Sequence, residues 1–321
     1  MSNWRRLALA FALAIAANSA SAQSWSFGLI GDVPYDAYER AQLPHMLAAM
    51  AAQKLSLIAH IGDIKSGKEP CSDALFLDRK TLFDQQPLPF IFVPGDNEWS
   101  DCERVSNGSY APLERLQALR RLFFAEAYSL GQGRIAVERQ PGEYLEHSRF
   151  RLGPVLFVTL NVPGGRNNFG MRAEGSAEFH ARNPQVLAWL QENFALARRE
   201  QLAGMVILMQ ANPHFEQQAR GLSQHGYRAL LELLRDESAA FAGQVLVVHG
   251  DTHRARVDQP LRNRQRQKLA NFTRLETYGY PQMGWTEVRI DPATPELFRF
   301  TMHPWSPKRP RAGTKPRSGD Q

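Results

Sequence analysis

Cysteine is nearly absent, with 2 in 321 residues, so a disulfide framework cannot carry the fold and a hydrophobic core must. Glycine (23) and proline (20) stand at ordinary levels, which excludes collagen-like and Pro/Gly-rich disordered chains. No internal repeat interrupts the sequence. Past the first two dozen residues no apolar run approaches the roughly 20 needed to span a bilayer, which argues against a membrane-spanning protein. The G-x-S-x-G elbow, the G-x-x-x-x-G-K-[ST] phosphate loop and the H-E-x-x-H helix are all missing, which removes the commonest hydrolase, nucleotide-binding and zinc-protease readings. Excess charge is missing from the body as well. The net charge is +6, but Arg5 and Arg6 supply two of it. The stretch from Lys308, with Arg309, Arg311, Lys315 and Arg317 against Asp320, supplies the other four. A neutral body is not the basic face that specific nucleic-acid binding requires. The alternation Arg262, Arg264, Arg266, Lys268 reads as a solvated strand or loop.

What is present begins with a leader. Trp4-Arg5-Arg6, an apolar run from Leu7 to Ala17 and the small-residue ending Ala20-Ser21-Ala22 make residues 1–22 a secretory signal peptide, with maturation expected at Gln23. The protein is therefore expected to be exported, to the periplasm or beyond. In that oxidising setting the even pair Cys71 and Cys102 reads as a disulfide, closing a loop of about thirty residues and contributing roughly 3 kcal/mol. One domain is expected over 23–307, followed by a disordered basic tail at 308–321.

Within the body, strand-length apolar runs recur: SFGLI (26–30), LSLIAHI (55–61), FIFV (90–93), VLFVTL (155–160), MVILM (205–209) and VLVVH (245–249). Helix-period segments lie at about 38–53, 112–124, 185–200 and 217–236. Strand and helix in alternation imply an α/β fold. After Asp251 the pattern becomes polar-apolar alternation in TRLETYGY, WTEVRI and ELFRFTM, which suggests closing antiparallel strands.

Four of the apolar runs end in Gly-Asp: Gly31-Asp32, Gly62-Asp63, Gly95-Asp96-Asn97-Glu98 and Gly250-Asp251-Thr252-His253. Ligands in open α/β sheets bind at the carboxyl ends of strands, and glycine there permits the sharp turn that presents the next side chain. Four such ends point to one shared site.

These motifs resemble those of the calcineurin-like metallophosphoesterase superfamily, which includes the purple acid phosphatases: G-D-x-H, G-D, G-N-H-E/D, an isolated His, then G-H-x-H. The resemblance covers about residues 26–253. It implies a four-layer αββα sandwich with two metal ions at the strand ends, bridged by hydroxide, and hydrolysis of phosphate mono- or diesters, small-molecule or polymeric. Carried over residue by residue, it makes Asp32, Asp63, Asp96, Asp251 and His253 metal ligands, with Asp63 bridging. Gln210 stands where the isolated histidine belongs, followed by Asn212 and His214, and an amide oxygen from Gln210 or Asn212 is expected to complete the metal ligands. The first motif has Pro34 in its histidine slot, and Asn97 occupies the slot of the histidine that assists the leaving group. Asn97 and His214 are the candidate catalytic residues; Asn161 and Arg166 are candidates for holding phosphate. Tyr35, three residues after Asp32, is a further candidate ligand, similar to the tyrosine of purple acid phosphatases. An oxygen-rich set with one imidazole suits one or two Mn²⁺, Fe, Mg²⁺ or Ca²⁺ ions better than Zn²⁺. The lost histidines motivate the alternative, a non-catalytic metal- or ligand-binding derivative of the same fold.

Overall fold

The computed structural model describes residues 23–170, 173–221 and 225–306. The expected leader (1–22) and basic tail (308–321) lie outside the described residues. The elements follow in chain order: β1 (Trp25–Ile30), α1 (Ala37–Ala51), β2 (Leu57–His60), α2 (Asp73–Asp84), β3 (Phe90–Phe92), α3 (Pro112–Phe123), β4 (Glu138–Arg139), β5 (Ser148–Leu152), β6 (Val155–Thr159), the short turn α4 (Gly164–Asn167), α5 (Ala173–Arg199), β7 (Gly204–Leu208), α6 (Phe215–Ala219), α7 (His225–Ala240), β8 (Gln244–His249), β9 (Arg256–Asp258), β10 (Phe272–Glu276), β11 (Gly284–Ile290) and β12 (Phe298–Pro304). The strands form a five-stranded sheet, β12-β11-β1-β2-β3, and a seven-stranded sheet, β4-β5-β6-β7-β8-β10-β9.

Side-chain alternation along the strands explains the layering. Phe27 and Leu29 of β1 face inward and join Phe157, Val206, Leu208, Leu246 and Val248 in a core between the two sheets. Phe27 and Phe157 meet edge to face at 4.9 Å across that interface. The opposite face of the first sheet, with Ile30, Ile58 and Phe90, packs on Leu43, Met46 and Leu47 of α1, Phe76 and Phe83 of α2, and Leu119 of α3. The opposite face of the second, with Val158, Ile207 and Val247, packs on Trp189 and Phe194 of α5 and Leu230 and Leu234 of α7. Burial on both faces is why the central strands read as continuous apolar runs. The result is helix, sheet, sheet, helix: the αββα sandwich expected.

Several details depart from expectation: α5 begins at Ala173 rather than near residue 185, and the segment expected at 217–236 spans the end of α6 and most of α7. Helix α2 and the edge pair β4–β5 carry no run strong enough to read. Strand β10 pairs parallel to β8, with β9 on its far side, so only β9, β11 and β12 of the closing strands run antiparallel to their neighbours. Among the described residues no helix is long and apolar enough to cross a membrane.

Cys71 and Cys102 form the expected disulfide, with sulfurs 1.96 Å apart. Both sulfurs abut the carbonyl of Asn97, at 3.4 and 3.6 Å. Their sequence separation is 31, so replacing both by serine should lower the unfolding free energy by roughly 3 kcal/mol, read as a lower urea midpoint with a slope that is unchanged or steeper as the unfolded chain expands. A midpoint identical to that of the parent protein would show that the bridge constrains nothing in the unfolded chain.

Candidate functional site

The carboxyl ends of β1, β2 and β3 in one sheet and of β7 and β8 in the other meet at one edge of the sandwich. There Asp32, Asp63, Asp96 and Asp251 lie together. Asp32 is wholly buried, and Asp63 and Asp96 expose 4% and 8% of their surface. Glycine takes the expected left-handed turn at Gly62 (φ 84°), but Gly95 and Gly250 serve differently. Three of the aspartates themselves take the left-handed backbone region, with φ of 50° at Asp32, 57° at Asp63 and 74° at Asp251. Aspartate tolerates that region better than most residues, though at a cost. The neighbouring glycines instead make room for another motif's acid. A Cβ on Gly250 would fall 2.1 Å from Asp32 Oδ2, and one on Gly95 would fall 2.1 Å from Asp63 Oδ1.

Two buried glutamates hold the loops. Glu98 accepts hydrogen bonds from the backbone N–H groups of Gly95 (2.7 Å), Asp63 (3.1 Å) and Ile64, tying the β2 and β3 ends together. Glu276 on β10 accepts from the Thr252 hydroxyl, the Arg254 N–H (2.9 Å) and Arg256 Nε (2.8 Å), tying down the loop that carries Asp251 and His253. The third sequence motif contains Glu98 without assigning it a role, and Glu276 lies outside every motif. An acid three residues after Gly95 was a readable signal for the first; nothing local marked the second.

Donors from the surrounding loops orient the aspartates. Asp63 accepts from Tyr35 Oη (2.7 Å), Asn97 Nδ2 (2.8 Å) and the Asn97 N–H (3.2 Å). Tyr35 is fixed in turn by the start of α1, where Asp36 caps the helix and Glu39 reaches back to the Tyr35 N–H at 2.8 Å. Burial and then the charge of Asp63 push the Tyr35 phenol well above its usual range, in keeping with a hydroxyl that donates to Asp63. Asp32 accepts from the Asp251 N–H at 3.0 Å, and Asp251 accepts from the Asn212 N–H at 3.0 Å. His253 donates from Nδ1 to the Tyr280 carbonyl at 2.7 Å, leaving Nε2 facing Asp32 Oδ1 at 3.3 Å. A backbone carbonyl fixing one ring nitrogen is the usual way to aim the other at a ligand.

Other candidates sit differently. Gln210 accepts from the Gly164 N–H at Oε1 (2.6 Å), which leaves Nε2 facing Asp96 at 3.2 Å. It meets the cluster with a donor, not with the oxygen expected of it. Asn161 is fully buried and gives Nδ2 to Glu146 at 2.9 Å, away from the site, because Glu146 and Arg120 form a buried ion pair behind it. His214 is half-buried beside the ring of Tyr227, its backbone N–H on Asn212 Oδ1 at 3.0 Å; among the described residues its ring makes no hydrogen bond. His60 and His249 are buried core histidines, each held down to about 4 by burial. Near the strand ends Trp99 and Trp285 are buried, whereas Tyr280 is exposed and stacks on Tyr35 at 6.0 Å.

Turn α4 borders the cluster. A Cβ on Gly164 would lie 2.6 Å from Asp96 Oδ2 and 2.9 Å from Asp251 Oδ1. Beyond it Gly165, Arg166, Asn167 and Asn168 all have positive φ, between 54° and 61°. Consecutive left-handed residues cost roughly 1–2 kcal/mol each when they are not glycine. The exposed side chain of Arg166 projects from this turn.

Among the described residues no three His, Cys, Asp or Glu side chains already converge as a ready-made metal site. The donor chemistry nonetheless fits a hard divalent cation. Burial raises the pKa of Asp32, Asp63, Asp96 and Asp251, and the charge of Asp96 pushes both Asp63 and Asp251 further up, Asp251 to about 8. Negative charge is thus crowded here beyond what His253 alone can balance.

No family model matches the sequence, and no curated protein matches it. Solved structures with similarity include a dimetal phosphatase from Danio rerio, at 14% identity and a TM-score of 0.48 over 82% of this chain and 92% of that one. A purple acid phosphatase from yellow lupin seeds matches at 12% identity and a TM-score of 0.49, over 84% of this chain and 49% of that one. A 5'-nucleotidase precursor from Thermus thermophilus matches at 11% identity and a TM-score of 0.45, over 88% of this chain and 54% of that one.

The raised carboxylates set the sign of a pH effect. Asp251 moves from 3.8 to about 8 and Glu98 from 4.5 to about 7, so the folded protein binds more protons than the unfolded chain between those limits. Stability of the metal-free protein is then highest below about pH 4 to 5 as far as these groups decide it, and falls as pH rises toward 8. Thermal midpoints taken from pH 5 to 8 should fall, and Mn²⁺ or Mg²⁺ should restore them most at pH 8. Midpoints that rise over this range without metal would show the acids to be ionised and compensated.

Proposed function

We propose that this chain is a metal-dependent phosphoesterase, acting on phosphate mono- or diesters, in which Asp32, Asp63, Asp96, Asp251 and His253 hold one or two divalent cations. The observation that carries the reading is the cluster itself: four acids, supplied by strand ends of two different sheets, crowded until burial and one another's charge oppose their ionisation. The sequence resemblance to calcineurin-like metallophosphoesterases supports the same reading. A divalent cation bound there supplies neutralising charge, acidifies water enough to attack phosphorus at neutral pH, and offsets charge growing on the phosphoryl oxygens.

The chain's own residues supply position and hydrogen bonds. Tyr35 and Asn97 fix the carboxylate of Asp63, and the Asp251 N–H fixes that of Asp32. Arg166, exposed on the turn whose Gly164 borders Asp96 and Asp251, would take phosphoryl oxygens through its fork of donors. Gln210 acts by orienting Asp96, and Asn161 has no substrate role in this reading. Proton supply to the leaving group is the weak point. Asn97 donates a hydrogen bond but no proton. His214 is held by burial below the ordinary histidine value, so it is neutral at pH 7 and a donor only under acid conditions. The enzyme should therefore favour esters whose leaving groups depart unprotonated, aryl over alkyl.

The reading extends to export, periplasmic or secreted, supported by the leader-like residues 1–22 and by the disulfide, and to one domain over 23–307. A non-catalytic binding protein is the second reading. It is favoured by Asp63, whose oxygens are already engaged by Tyr35 and Asn97.

Elemental analysis of chelator-free protein should find one or two equivalents of a divalent metal, and Asp63→Asn should remove both the metal and hydrolysis, with at least a hundredfold loss expected of a site residue of this kind. A fully active Asp63→Asn protein would sink the proposal; bound metal without turnover of any aryl or alkyl phosphoester would leave the binding reading. Across a series of aryl and alkyl phosphates the rate should rise steeply as leaving-group pKa falls. A flat dependence would reveal a proton donor that this arrangement does not contain.

A further inference from the structure

The left-handed turn from Gly165 to Asn168 keeps two backbone hydrogen bonds of its own, Asn168 N–H to the Gly165 carbonyl (3.1 Å) and Phe169 N–H to the Arg166 carbonyl (3.2 Å), but it holds Arg166 at φ 60°, a region that arginine seldom adopts, so it calls for support from outside. Asn168 Nδ2 reaches Glu178 at 3.0 Å and Asn167 Nδ2 the Gly226 carbonyl at 2.9 Å, but the side chain that makes most bonds to the turn is one arginine. Arg182 of α5 is wholly buried and gives Nη1 to Asn167 Oδ1 (2.8 Å) and to the Asn161 carbonyl (2.8 Å), and Nη2 to the Asn167 carbonyl (3.1 Å). Glu178, one turn earlier on the same helix, takes Nε at 2.6 Å and so orients the guanidinium. The guanidinium also lies 5.6 Å from the ring of Trp99, which follows Glu98 in the β3 loop. One planar fork thus reaches the end of β6, the turn and the β3 loop, and a lysine's single ammonium could not copy that geometry. From the opposite side α7 closes on the turn at Gly226, where a Cβ would fall 1.9 Å from the Arg166 carbonyl oxygen.

We infer that Arg182 is a positioning residue that holds the left-handed turn Gly165–Asn168 and, through it, sets Arg166 beside the carboxylate cluster to bind a phosphoryl group. The inference rests on the phosphoesterase reading for the use of Arg166, and on geometry alone for the clamp.

The test uses the full-length, Mn²⁺-supplemented protein with inorganic phosphate as the probe. Amide hydrogen exchange reports the turn, and calorimetry reports phosphate affinity. Arg182→Met should speed exchange at residues 165–169 and weaken phosphate binding by about tenfold, as Arg166→Ala does, and the double variant should bind no more weakly than either single one. Arg182→Lys should recover only part of the affinity. Gly226→Ala, which displaces the same turn without touching Arg182, should reproduce the loss and decides the matter if Arg182→Met does not fold. Unchanged exchange in folded Arg182→Met protein overturns the clamp. Faster exchange with phosphate affinity intact, or losses at Arg182 and Arg166 that simply add, overturns the positioning role. If Arg166→Ala leaves phosphate affinity unchanged, the phosphate-binding role of Arg166 fails and the inference fails with it; if Arg166→Ala weakens binding while Arg182→Met and Gly226→Ala do not, the inference alone fails.

Discussion

Crowding like charges out of water is the constraint around which this protein is organised. Four aspartates at one edge of the sandwich resist ionisation because each is buried, and three of them also because Asp96 is near. Such a cluster persists only if its backbone is held by other means. Glu98 and Glu276 do this from opposite sheets, each gathering donors from the loops that carry the aspartates. Left-handed backbone at Asp32, Asp63 and Asp251 is strain of the kind found where surrounding structure over-determines a site. The hydrophobic layers are the source of that over-determination: the core between the sheets fixes the strand ends that the acids terminate.

What could be read from the chain followed from how directly a signal maps to physics. Strands buried on both faces show as apolar runs, so β1, β2, β3, β6, β7 and β8 were legible, and their shared Gly-Asp endings located the site edge. Helix α2 was not legible, because charged and apolar residues mix along it and Arg79, although buried, reads as polar in a pattern. The direction of β10 could not be read because alternation reports burial on one face and says nothing about the neighbour's polarity.

The site divides in the same way. Asp32, Asp63, Asp96, Asp251 and His253 were found because each follows the end of a strand. Gln210 was found as well, but its orientation depends on the Gly164 N–H, a partner 46 residues away in sequence. Asn161 ends a strand too, yet a buried ion pair turns it inward. Arg182 was invisible, since an arginine within a long helix reads as a solvated face. The glycine argument holds at Gly62, which takes a left-handed turn, whereas Gly95 and Gly250 make space and Asp32, Asp63 and Asp251 themselves have positive φ.

The strand order has a consequence for how such a chain can come into being. β11 sits next to β1 in the five-stranded sheet, although more than 250 residues separate them in sequence. Until β11 and β12 have been made, β1 is an open sheet edge carrying Asp32 at its tip, and the whole second sheet has to be synthesised in the interval. While the intervening residues are made, one edge of this apolar strand stays unpaired. Any product cut short before residue 284 lacks β11 and so leaves that edge unpaired. The last strands of the chain thus act as its quality check, because they alone close the sheet that the first strand began.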